Sequence, residues 1–149
     1  MDIERKKDLS IYYYMVDTFS DIPSVTIVDG YPMTGLTLPT VSVEGSDIIL
    51  EPFELGNEEE LFIRVWFIEV FGKNKSQRDD MIYKILRALQ YKIPVYDYDE
   101  GFPPLVTPSR VGALRAGDIK SKTIAVIPEL VDALYYRARI SFTAIYDNI

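Results

Sequence analysis

The stretch from Leu61 to Tyr91 constrains the fold more than any other. It holds one long apolar run, a short polar break and an amphipathic segment. Leu61-Phe62-Ile63-Arg64-Val65-Trp66-Phe67-Ile68-Glu69-Val70-Phe71 is rich in β-branched and aromatic residues, which suit a pleated, packed surface. Strand alternation divides it into two faces. Leu61, Ile63, Val65, Phe67 and Phe71 point one way; Phe62, Arg64, Trp66, Ile68 and Val70 point the other. Both faces are mostly apolar, so both are expected to be covered, with Arg64 marking the second as the shallower. After Gly72, Ser76 reads as an N-cap with Asp79 three residues on. Met81, Ile82, Ile85, Leu86 and Leu89 then recur at helical spacing, and Pro94 ends the helix before about Lys92. The pattern predicts a central strand and the helix that covers it.

The 149 residues suffice for one domain with a real core, and a hydrophobic fraction of 48% argues against disorder. There is no cysteine and no histidine. Disulfides, thiolate metal sites and a cysteine nucleophile are therefore excluded, as is the usual general base. Any catalysis would have to rest on carboxylate, lysine or tyrosine. The net charge of −7 opposes a non-specific grip on nucleic-acid phosphates. No apolar run reaches the ~20 residues of a membrane-spanning helix. The mixed charge of residues 1–8 is unlike a signal peptide, so the protein is expected to stay in the cytosol where it is made.

Residues 2–20 read as a first helix, with a stripe of Leu9, Tyr12, Tyr13, Val16 and Phe19 widened by Ile11 and Met15 and stopped by Pro23. Val25 to Val28 reads as a short strand. Thr40-Val41-Ser42-Val43-Glu44, led by Pro39, reads as a half-buried strand. Gly45-Ser46 reads as a turn into a further strand from Asp47 to Phe53. From Ile93 to Lys122 four prolines and three glycines give no clear element, and a loop or arm over about 94–122 is expected. Thr123 to Ile127 and, with clean alternation, Tyr135 to Tyr146 read as strands. Tyr136, Ala138, Ile140, Phe142, Ala144 and Tyr146 share one face of the last. Arg137 and Arg139 lie on the other, wet or intersubunit face.

Glycine-rich phosphate loops, nucleophile elbows and metal-ligand spacings are missing from the sequence. Asp97, Asp99 and Glu100 lack the later ligands of a calcium loop, and Asp79-Asp80 suits the opening turn of a helix. No catalytic residue, metal ligand or cofactor is expected. A small enzyme or ligand-binding domain using the acidic residues 97–100 is the competing reading.

The order of parts resembles that of tail terminator (tail completion) proteins of long-tailed bacteriophages. It runs from an N-terminal helix to the proline-led strand Leu38-Pro39-Thr40-Val41-Ser42-Val43 and a hairpin into Leu61–Phe71. A helix carrying Asp79-Asp80-Met81-Ile82-Tyr83-Lys84-Ile85-Leu86-Arg87-Ala88-Leu89 follows, and a last strand holds Arg137-Ala138-Arg139-Ile140-Ser141-Phe142. The likeness is one of layout, and no residue carries over as a site by motif. It implies a structural virion protein that forms a homo-oligomeric ring, a hexamer in that family. Such a ring caps the tail tube, contacts the tail-tube protein and head–tail connector proteins, and lets DNA pass without specific binding. Another neck, connector or tail-tube protein would have a similar composition. The segment 94–122 departs from the family layout. The expected fold is α+β, a mainly antiparallel sheet of four to five strands with two helices on one face. The expected subunit interface is Phe62, Arg64, Trp66 and Ile68, with Arg137 and Arg139.

Overall fold

The computed structural model describes residues 2–30, 37–52, 60–99, 101, 103, 107–124 and 136–147, with backbone alone at 49, 51, 52, 60–62 and 147. Two helices, α1 (Ile3–Thr18) and α2 (Lys75–Ala88), accompany six strands: β1 (Thr26–Asp29), β2 (Thr40–Pro52), β3 (Glu60–Gly72), β4 (Ile93–Tyr96), β5 (Arg110–Ile124) and β6 (Tyr136–Asp147). The strands form one sheet in the order β1-β2-β3-β6-β5-β4. β1 runs parallel to β2 and every other pair is antiparallel. The fold is α+β as the sequence predicts, but the sheet is mixed, six-stranded and curled into a half-barrel rather than a mainly antiparallel sheet of four to five strands.

Each helix starts where local chemistry satisfies its first amide groups. The Asp2 carboxylate accepts from the Glu4 amide at 2.8 Å, opening α1. At α2 the Asn74 side chain accepts from the Gln77 amide (2.9 Å) while Gln77 accepts from the Lys73 amide (2.7 Å). This reciprocal arrangement, akin to a capping box, starts the helix at Lys75, two residues before the Ser76 cap predicted from the sequence would. Gly72 lets β3 run directly into this start, since a Cβ there would meet the Arg78 amide nitrogen at 3.0 Å.

Both helices pack on one face of the sheet. Ile11, Met15 and Phe19 of α1 and Met81, Ile82 and Ile85 of α2 cover Val41, Val43, Trp66, Ile68, Val70, Ala138, Ile140 and Phe142. Cross-strand register puts these rows side by side: Val43 faces Ile68, and Ile68 faces Ile140 on its other flank. The helices are tied together by the Tyr14 hydroxyl, which donates to the Ala88 carbonyl at 2.7 Å. Ser10 accepts from the Tyr96 amide at 3.1 Å and fixes α1 to β4.

Two expectations about the chain path are corrected. Gly45-Ser46 is no turn: β2 continues through a bulge between Gly45 and Ile48 to Pro52, so two predicted strands are one. The side chain of Arg64 lies across Gly45, where a Cβ would sit 2.4 Å from the guanidinium; glycine is what admits it. The segment 94–122 is mostly strand rather than loop or arm. β4 forms the sheet edge, where Pro94 is tolerated, and β5 pairs along almost the whole of β6. The predicted strand Thr123–Ile127 falls partly outside the described residues; its first two residues close β5.

Candidate functional site

The face of the sheet opposite the helices carries the chain's main concentration of cations. The registers Glu69↔Arg139, Phe71↔Arg137 and Lys122↔Arg139 place Glu69, Arg137, Arg139 and Lys122 together on it. Lys120, opposite Ser141, and Arg115, opposite Ile145, extend the same row along β5. Glu69 is 3% exposed and is held from two sides. Arg137 Nη2 donates to both carboxylate oxygens (2.8 and 2.7 Å), and Arg139 donates to Oε1 through Nε (2.8 Å) and Nη2. The guanidiniums lie over aromatic rings of the neighbouring strand, Arg139 at 4.7 Å from the Phe67 centroid and Arg137 at 5.4 Å from that of Phe71. Burial is graded across the face. Thr40, Ser42, Glu69 and Phe71 are buried; Ile63, Val65, Phe67, Ser141 and Thr143 are half-buried; Arg115, Lys120, Lys122 and Ile145 are exposed. The Ser42 hydroxyl, opposite Glu69, has no hydrogen-bond partner among the described residues.

A second feature is a recess of about 360 Å³ between the first turns of α1 and the root of the β2–β3 hairpin. Its floor is Ile11, Trp66, Leu114 and Ala144; Ile48, half exposed, stands at the rim. The charges around it are answered within the chain. Arg64 Nη1 donates to Asp8 at 2.7 Å, its Nε donates to the Ser46 carbonyl at 3.2 Å, and its guanidinium lies 5.2 Å from the Trp66 ring. Lys7 binds Glu4 at 2.7 Å and lies 4.4 Å from the centroid of the Tyr146 ring. Burial raises the Asp8 carboxyl above its ordinary range, with Arg64 opposing.

The residues expected to form a subunit interface are divided by this geometry. Trp66 (4% exposed) and Ile68 (fully buried) lie beneath the helices and belong to the chain's own core. They are not an open contact row, because α1 and α2 pack over that face. Arg64 shares that face but sits at its end, paired with Asp8. The side chain of Phe62 lies outside the description. Arg137 and Arg139 are on the opposite face, as an interface reading of that face requires, yet their carboxylate is Glu69 of the same chain. Glu69 was the missed residue. Its signal was available: one acid inside an apolar strand, and two arginines two apart on another.

In the acidic loop, Asp97 and Asp99 bracket Lys6 at 3.0 and 3.2 Å, and the hydrogen bond to Asp97 is the main cause of a raised Lys6 pKa. Among the described residues no group of three or more acids is placed to hold a metal ion, and no helix is long and apolar enough to cross a membrane. Comparison with protein-family models and with curated proteins returns no match.

Proposed function

We propose that this chain is a structural virion protein of the tail terminator kind, assembling into a ring that caps the phage tail tube, ends its growth and joins tail to head. The observation that carries the reading is the sheet face that neither α1 nor α2 covers. It combines half-buried Ile63, Val65 and Phe67 and exposed Ile145 with an arginine pair held rigid by Glu69. Large apolar side chains mixed with ordered arginine are the composition of association surfaces, and the end of this face around Arg115, Lys120, Lys122 and Ile145 is exposed on the single chain. The order of elements, helix, hairpin, helix and closing strands, agrees with the layout that the resemblance rests on. The role is one of assembly rather than catalysis, with the tail tube and connector proteins as neighbours. Light scattering and negative-stain images of the purified protein test it. Closed rings of uniform size are expected; a monomer at high protein concentration would refute the reading.

A further inference from the structure

The charges of this chain are segregated along its length, and the strand order places the two signs toward different edges of the sheet. From Asp8 to Ile63 there is no lysine or arginine, while that stretch holds eleven acids. It runs from α1 through β1 and β2, and β1 and β2 form one edge of the sheet. Asp29, Glu44 and Asp47 are exposed there. The other side is built by β5 and β6. β5 exposes Arg110, Arg115, Lys120 and Lys122 against the single acid Asp118. Five cations, Arg115, Lys120, Lys122, Arg137 and Arg139, stand on the helix-free face around one buried carboxylate, Glu69. The remaining eleven bases and twenty-two acids give everything else a net charge of −11.

The exposed lysines of β5 and the exposed acids of β1 and β2 are too far apart to pair within one chain. β3 and β6 separate β2 from β5, three strand spacings or about 14 Å of sheet. That exceeds the ~8 Å Debye length at physiological salt. Lys120 and Lys122 form no ion pair among the described residues. We infer that the occupant of the basic β5–β6 face is a second copy of this chain, presenting its acidic β1–β2 side. The inference rests on the ring reading above and names its contact. The two surfaces differ, so the contact is heterologous: each copy gives one surface and receives the other, and a rotation that closes makes a ring. Complementary charge sets the orientation and speeds encounter, while the half-buried apolar residues of the face supply the desolvated area. Nucleic acid is the less favoured occupant, since any strand reaching the five cations must approach a body of net −11.

Paired charge reversals test this. Lys120→Glu with Lys122→Glu, and separately Glu44→Lys with Asp47→Lys, change only exposed side chains, so both variants should keep the wild-type circular dichroism. Each alone should associate at least ~100-fold more weakly than wild type in sedimentation at moderate salt. An equimolar mixture should reassemble, because each variant then offers the other a complementary surface. Should a reversal unfold the chain, Lys120→Gln with Lys122→Gln supplies the same readout with about a tenfold loss. Wild-type-like assembly by the lysine variants would overturn the docking assignment while leaving the ring intact. A monomeric wild type would overturn the ring itself and the contact with it. Binding of a labelled duplex oligonucleotide by wild type that is lost in the lysine variants would give the face to nucleic acid instead.

Discussion

Replacing Glu69 by glutamine isolates the energetics of the helix-free face. Glutamine keeps the volume of the side chain but removes its charge and turns an amide donor toward two guanidiniums that are themselves only donors. Four donor–acceptor contacts converge on this carboxylate, which is 4% exposed. Removing one partner of a buried ion pair costs about 3–5 kcal/mol. The freed arginines recover part of their hydration, since their side chains are 19% and 40% exposed. The expected loss is therefore about 2–3 kcal/mol, a fall in Tm of roughly 5–10 °C for a domain of this size. Urea unfolding can be followed through Trp66, the sole tryptophan, which is buried in the core. Protein concentration must be held fixed, because assembly would add to apparent stability. Double-mutant cycles should give Glu69 a larger coupling to Arg137 than to Arg139, as the former is the more buried partner. A loss below about 0.5 kcal/mol, or equal weak couplings to both arginines, would show that the network is held by water rather than by the pairing argued here.

Trp66→Asp should abolish folding by circular dichroism rather than yield a folded monomer. A cavity under both helices plus a buried charge costs about 5 kcal/mol or more, comparable with the whole stability of a domain. Asn74→Ala should cost about 1 kcal/mol in urea unfolding by leaving the Gln77 amide unsatisfied; a neutral result would remove the cap from the account of α2. Asp8 predicts a pH dependence. Its pKa is raised in the fold above 3.8, chiefly by burial. The folded state then holds the proton more tightly, so ionisation of Asp8 lowers stability as pH rises from 3.8 through the folded value. Asp8→Asn should match wild type below that window and exceed it above; a variant less stable than wild type at neutral pH would show that the Arg64 bridge outweighs the burial.

The parts legible in the sequence are those whose own periodicity fixes their environment. α2, β3 and β6 each carry an apolar stripe that belongs to one element, whereas α1 is legible as a helix but buries Leu9, Ser10, Ile11 and Met15 rather than the predicted row through Tyr12, Tyr13 and Val16. β5 carries no such stripe. Gly112, Gly117, Asp118 and two exposed lysines interrupt its alternation, and Asp118 adopts a positive φ of 50° where the register shifts. It is a strand because β6 pairs with it, an interaction no local window contains. The bulge in β2 misleads for a related reason. Val41 and Val43 face the helices, whereas after the bulge Ile48 and Leu50 do, so alternation changes phase and reads as a break. The choice of covered face was not legible, since both rows of β3 are apolar. Arg64 pointed the wrong way: it lies on the helix face, but at an end where Asp8 and solvent both reach it.

The pairing of β3 with β6 also sets a schedule. Residues 64–72 lie beside 136–144, so the middle of the sheet closes only once β6 has been made. Until then β3 offers an unpaired backbone edge at the centre of a hydrophobic segment, beside helices that have nowhere complete to pack. Such distant pairing slows folding, because the loop must close before any contact rewards it. A chain in which β3 has formed and β6 has not therefore exposes an apolar, unpaired edge. The short β1 and the proline-bearing β4 then become the permanent edges, and both are poor templates for stray strands.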